Sequence, residues 1–305
     1  MNQVRAYGSA VLSAALLGMA YPPFGLGFLA CIGVIPMLGL IESGSPSKVL
    51  VKYWLSGTLF HALTVLWIGH VTRFGAVLAV IFLGLMYAVP FAAAAYARTR
   101  NPYSGLFALP FFVAGFEWAF SHDVLAFPWT IFGNSQASYP WLVQFADITS
   151  VFGVSWWVIA VNVAFFMLLK TKRARHATAL VILVIVPLAY SQMVIHSSPK
   201  TGRSLKVDIV QGNVPQDDKW GGDVEWNIDL YRTMSRKAAE RRPDLLVWPE
   251  TAIPAYVLQD PFYLRMVQSF VDTLGIPVLT GLPTVELNSE KTYEERETWN
   301  SAALF

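Results

Sequence analysis

The sequence predicts a multi-span α-helical membrane bundle followed by part of an α/β domain. Three observations carry that reading. Hydrophobic residues make up 55% of the 305 positions and charged residues only 14%, where a soluble chain usually carries about a quarter charged residues. Of 20 acidic residues only Glu42, Glu117, Asp123 and Asp147 precede position 200, leaving 16 behind it. Beyond about residue 204 the pattern changes from long apolar runs to short strands alternating with amphipathic helices. Two domains are therefore expected, a bundle over 1–196 and the amino-terminal part of a sheet domain over 204–305.

A membrane crossing needs about 20 apolar residues. Seven segments qualify, near 5–21, 25–41, 50–71, 75–97, 103–120, 150–169 and 177–195. Tyr21-Pro22-Pro23-Phe24-Gly25 joins the first two as a tight hairpin, and Pro90 and Pro187 fall inside spans. Lysine and arginine set the orientation. Arg5, Lys48, Lys52, Arg98, Arg100, Lys170, Lys172, Arg173 and Arg175 fall on one side, and only Arg73 on the other. That bias puts the amino terminus in the cytoplasm and, after seven crossings, the polar domain outside.

The segment 121–149 is long, aromatic and free of lysine and arginine. Phe127, Trp129 and Trp141 suit an outer interface, as a belt anchor or as a lipid-facing floor. Glu117, the one acid within a span, is a functional candidate by default because hydrocarbon penalises it by roughly 2.5–3.5 kcal/mol. One acid makes no proton relay, which argues against a transporter. Cys31 is the single cysteine, so no internal disulfide forms, and the five histidines lack metal-ligand spacing. No metal or cofactor is expected. A net charge of +2 without a basic, aromatic-interleaved cluster gives no nucleic-acid partner.

In the polar part, Leu205–Val210 reads as a strand, about 223–241 as a helix capped by Asp223, and Leu245–Trp248 as a second strand. About 261–274 reads as a second helix and 278–281 as a third strand. Residues 284–297 read as an exposed loop, and 299–305 as a fourth strand entering. This order implies a parallel sheet, with the loops 211–222 and 249–254 opening on its carboxyl edge, where ligands collect in open α/β sheets. Pro249 ends the second strand and sets Glu250 just past it, a candidate general base. The fourth strand leaves the layer unfinished, so the sequence reads as a fragment.

Val210-Gln211-Gly212-Asn213-Val214-Pro215-Gln216-Asp217-Asp218-Lys219-Trp220, followed by Val247-Trp248-Pro249-Glu250-Thr251-Ala252-Ile253-Pro254, resembles the apolipoprotein N-acyltransferase family of bacterial envelopes. Phe127-Pro128-Trp129 with Gly133 and Gln136, and Tyr21-Pro22-Pro23-Phe24-Gly25, resemble it too. The resemblance implies a carbon-nitrogen hydrolase, nitrilase-like (αββα) domain on an inner-membrane bundle, with its catalytic side in the periplasm. It implies acyl transfer from a phospholipid to the amino-terminal diacylglyceryl-cysteine of an apolipoprotein through an acyl-thioester, the last step of lipoprotein maturation. Glu250 matches the glutamate of a Glu-Lys-Cys triad. Trp220, Trp248, Gln211, Phe127, Trp129 and Gln136 match substrate-facing positions. No residue matches the triad lysine or cysteine, so these 305 residues alone are expected to be inactive. The arginine often found after the Glu117-Trp118 pair is replaced by Ala119-Phe120, leaving the partner of Glu117 open. Two other readings stand beside the enzyme: a membrane-anchored scaffold or binding module without chemistry, and a membrane-tethered amidase.

Overall fold

The computed structural model describes the chain except residues 1–2, 103, 123, 198–201, 203, 216–217, 220–222 and 286–296. It divides into two compact units, Met1–Pro199 and Lys200–Phe305.

The first unit is helical: α1 (Gln3–Ala20), α2 (Ala30–Gly33), α3 (Ile35–Ser43), α4 (Pro46–Val65), α5 (Arg73–Arg100), α6 (Ser104–Phe120), α7 (Ala146–Thr171) and α8 (Ala174–Ser197). Four helical stretches are long and apolar enough to cross a membrane: Pro46–His70, Arg73–Arg100, Ala146–Thr171 and Ala174–Ser197. Ala6–Ala20, Gly27–Ser43 and Ser104–Phe120 are apolar but shorter. The chain is a membrane protein, and all seven expected apolar segments fold as helix.

The second segment departs from the expected continuous span. It breaks into a 3₁₀ turn (Gly27–Leu29), α2 and α3, with the join at Val34. Backbone freed in an apolar interior must find a partner inside the protein, and Asn162 of α7 supplies it. Its Oδ1 accepts from the Val34 amide at 2.9 Å, and its Nδ2 donates to the Ala30 carbonyl at 2.8 Å. Asn162 is fully buried, so this stitch is sheltered from lipid and water alike.

The second unit is a four-stranded sheet in the order β1 (Val207–Ile209), β2 (Leu245–Trp248), β3 (Val278–Val285), β4 (Thr298–Leu304). β1, β2 and β3 are parallel, and β4 joins β3 antiparallel. Helix α9 (Val224–Ala239) follows β1 and α10 (Pro261–Leu274) follows β2. Each starts on an aspartate whose carboxylate takes an orphan amide of the first turn: Asp223 accepts from Glu225 and Asp260 from Phe262. Ile228, Tyr231 and Ala238 of α9, with Val267, Phe270 and Val271 of α10, share one core with Leu246 and Trp248 of β2. Most of the loop expected over 284–297 lies outside the described residues. β3 runs four residues longer than the sequence suggests because β4 pairs along its whole extension, from Leu279↔Leu304 to Val285↔Thr298.

Candidate functional site

Parallel pairing of β1 with β2 places both carboxyl ends on one edge of the sheet, and the loops after them meet there. Pro249 closes β2, and Thr251 takes a left-handed φ of 50°, so the chain turns sharply at Glu250. Glu250 is exposed. Its Oε1 accepts from Asn300 Nδ2 at 2.6 Å, and its main-chain carbonyl accepts from Lys219 Nζ at 3.2 Å. Partial burial draws the Lys219 ammonium below its ordinary value, opposed by the Glu250 carboxylate. A fixed, water-accessible carboxylate with an amide on one oxygen and an ammonium beside its backbone can take a proton and hand it on. Gly281 of β3 lets this turn lie against the sheet, since a Cβ there would stand 2.8 Å from the Glu250 Cα.

Lys219 and Asn300 were missed by sequence reasoning. Lys219 had one usable signal, its place in the loop at the carboxyl end of β1. Asn300 had none, because its approach to Glu250 depends on β4 pairing beyond β3.

Trp248 is not at this rim. Side chains alternate along a strand, and its indole points into the core, 2% exposed, with Nε1 donating to Ser235 Oγ at 2.8 Å. Tyr231 and Phe270 flank it at 5.3 and 6.4 Å. It therefore supports the Glu250 turn from below and offers no surface to a substrate. Gln211 is exposed on the loop after β1, where its Nε2 donates to Asn213 Oδ1 at 2.7 Å. Trp220 lies outside the described residues.

In the helical unit, residues 127–136 form two short 3₁₀ turns rather than a linker across the surface. Side chains from α6, α7 and the residue after α1 hold their backbone, and one from α4 holds a side chain. Glu117 Oε1 of α6 accepts from the Phe132 amide at 2.9 Å, and Ser155 Oγ of α7 accepts from Gly133 at 2.8 Å. Tyr21, just past α1, donates to the Ile131 carbonyl at 2.8 Å. His61 of α4 meets Thr130 Oγ1 at 3.1 Å. The open partner of Glu117 is thus a main-chain amide, and its second oxygen is buried without a partner beside a cavity of about 60 Å³.

Gln136 is 2% exposed and its Nε2 donates to the Gly27 carbonyl, tying the 3₁₀ turns to the hairpin after α1. Gly27 is required at that crossing, because a Cβ would run into the Ser135 carbonyl. Gln136 is an internal brace; its amide is spent on protein. Trp129, by contrast, is 62% exposed and lies 5.3 Å from Trp67 and 6.3 Å from Phe127. The clamp therefore spends buried polar groups on holding a small aromatic platform outward.

These features define a class: a membrane-embedded helical unit that braces a non-helical aromatic turn, followed by a sheet unit with a carboxylate at its carboxyl edge. The family model for the apolipoprotein N-acyltransferase N-terminal domain matches residues 13–164. Apolipoprotein N-acyltransferase of Chlorobaculum tepidum is 33% identical over 289 residues, 90% of this chain and 54% of that protein. That of Geobacter metallireducens is 31% identical over 307 residues, 94% and 59% respectively, and that of Coxiella burnetii 26% over 309 residues, 93% and 61%. The chain belongs to the apolipoprotein N-acyltransferase family. It spans a little over half the length of these relatives.

Proposed function

We propose that this chain carries the membrane unit and general base of a phospholipid-dependent acyl transfer to the amino terminus of a diacylglyceryl apolipoprotein. The observation that carries the reading is the placement of Glu250. It is exposed at the sheet edge and held by Asn300, in a chain similar over nearly its whole length to proteins named for this reaction. In such a transfer a thiol loses its proton to the base and attacks the phospholipid ester. A sulfur–carbon bond forms and the carbon–oxygen bond breaks, the lysophospholipid leaving with the proton. An amine then attacks the thioester, forming the amide and returning the thiol. Glu250 suits the proton steps. The sole cysteine, Cys31, belongs to the helical unit, so these residues supply the base and not the nucleophile.

Phe127 and Trp129 are proposed to meet the phospholipid donor, with Gln211 and Trp220 near the acceptor. A catalytic unit carried on its own bundle spares the acyl chain a transfer into water, at about 0.8 kcal/mol per CH₂. The nine-to-one bias of basic residues favours an inner-membrane orientation with the sheet unit on the periplasmic side. The nitrilase-like (αββα) architecture is the expected completion of a sheet that is parallel through β1–β3.

The test is a chimera in which residues 1–305 are continued by the remaining sequence of the Chlorobaculum tepidum relative. Labelled acyl transfer from phospholipid to a diacylglyceryl peptide is expected, and Glu250→Gln should abolish thioester formation while the chimera still inserts. Thioester accumulating at the normal rate in Glu250→Gln would overturn the role of Glu250. An inserted, folded chimera that binds the peptide without acylating it would favour a scaffold.

A further inference from the structure

At the other end of α6 from Glu117, a groove of about 640 Å³ runs between α6, α7 and α8. Its volume falls in the range of about 300–1,000 Å³ typical of small-molecule sites. The walls are apolar, with Phe107 and Phe111 of α6 facing Trp156 of α7 and Leu183 of α8. The mouth is polar, with Arg98, Lys170 and His176 beside Glu42, the single acid lining it. Lys170 and Glu42 neutralise one another at 2.7 Å. His176 is engaged by Thr171 Oγ1 at 2.7 Å. Arg98 gives one NH₂ to the Gly44 carbonyl at 3.0 Å, and its buried Nε has no partner. The mouth therefore holds one guanidinium charge that no carboxylate among the described residues balances, directly above an apolar slot.

We propose that this groove binds one phospholipid of net negative charge, its phosphodiester on Arg98 and an acyl chain in the slot lined by Phe107, Phe111, Trp156 and Leu183. Two features select this occupant. A fully apolar guest would leave the guanidinium charge unbalanced, whereas a phosphate takes it up by charge-assisted hydrogen bonds. A zwitterionic headgroup brings its own ammonium into a mouth already holding Arg98 and Lys170. An anionic lipid adds no such cation. This end of the bundle also carries Arg100, Lys172, Arg173 and Arg175, which concentrate anionic lipid at the adjoining surface. The inference does not depend on the acyl-transfer reading.

The test uses the 305-residue chain, delipidated in detergent and titrated with phosphatidylglycerol or phosphatidylcholine of identical chains, with complexes counted by native mass spectrometry. One phosphatidylglycerol per chain whose binding depends on Arg98 is expected, about fivefold tighter than phosphatidylcholine, since a basic residue near a lipid surface contributes roughly 1 kcal/mol. Glycerophosphoglycerol, the same headgroup without chains, should not compete at equal concentration. Arg98→Gln should remove the preference. Lys170→Gln, at a side chain 51% exposed, should do the same by leaving Glu42 unpaired, and serves if Arg98→Gln alters helical content. Ala164→Phe, which fills the groove, should lower binding of both lipids. Equal affinity for the two lipids, a preference that survives both charge variants, or displacement by the headgroup alone would overturn the proposal.

Discussion

Asn300 of β4 reaches across β3 to hold Glu250, Nδ2 to Oε1 at 2.6 Å, although β3 lies between β4 and the strand that Glu250 follows. An aspartate at position 300 would bring two carboxylates together at this rim. Like charges so close resist simultaneous ionisation. Asn300→Asp should therefore destabilise the second unit at pH 7.5 by about 1 kcal/mol, a value kept small because the pair is exposed. The loss should shrink at pH 4.5, where one of the pair takes a proton. Melting of wild type and variant at the two pH values checks this, and an equal deficit at both would mean that packing, rather than charge, governs position 300.

The approach of the Glu250 turn to the sheet depends on Gly281. Adding one methyl 2.8 Å from the Glu250 Cα forces backbone against backbone, with no flexible side chain to yield. Gly281→Ala should cost about 1–3 kcal/mol and displace the carboxylate from Asn300. Hydrogen exchange is the readout: protection at residues 250–253 should fall while α9 keeps its own.

Glu117 acts as an acceptor for the Phe132 amide, which requires an oxygen and not a charge. Glu117→Gln keeps that oxygen and should melt close to wild type. Glu117→Leu leaves an amide unpaired in the bundle, at about 1–3 kcal/mol, and should speed exchange at Phe132 and Gly133. If the glutamine variant were as damaged as the leucine variant, the carboxylate charge itself would be needed there.

The positions that could be read in the sequence are those set by local pattern. Asp223 caps the helix that its position predicts, and Leu245–Trp248 is a strand. The apolar runs fold as helix because nothing else satisfies their backbone in lipid. What stayed hidden depends on contacts distant in sequence. Asn162 mends a helix break 128 residues away, and Tyr21 holds a carbonyl 110 residues away. No spacing rule connects such pairs. Trp248 and Gln136 fail for a related reason: a motif match gives position in the chain, whereas burial decides whether a side chain meets a substrate or the interior. Trp129 is mostly exposed, so its proposed lipid-facing role is open to test.

Trp129 and Trp248 accordingly predict opposite responses. Trp129 is mostly exposed, and its loss leaves the polar clamp around Phe132 and Gly133 untouched. Trp129→Ala should change thermal stability by no more than about 0.5 kcal/mol, yet lower phospholipid binding, or acyl transfer in the chimera, at least several-fold. Trp248→Ala removes a buried indole between Tyr231 and Phe270 and strands the Ser235 hydroxyl, at about 3–5 kcal/mol, so it should unfold the sheet unit before any effect on lipid can be read. Trp248→Phe, which keeps a ring but not the Nε1 donor, should cost less. The decisive comparison is lipid binding by folded Trp129→Ala against wild type. A membrane-tethered amidase acting on soluble amides needs no aromatic platform. Unchanged phospholipid binding together with retained cleavage of a soluble amide by the chimera would favour that reading over acyl transfer.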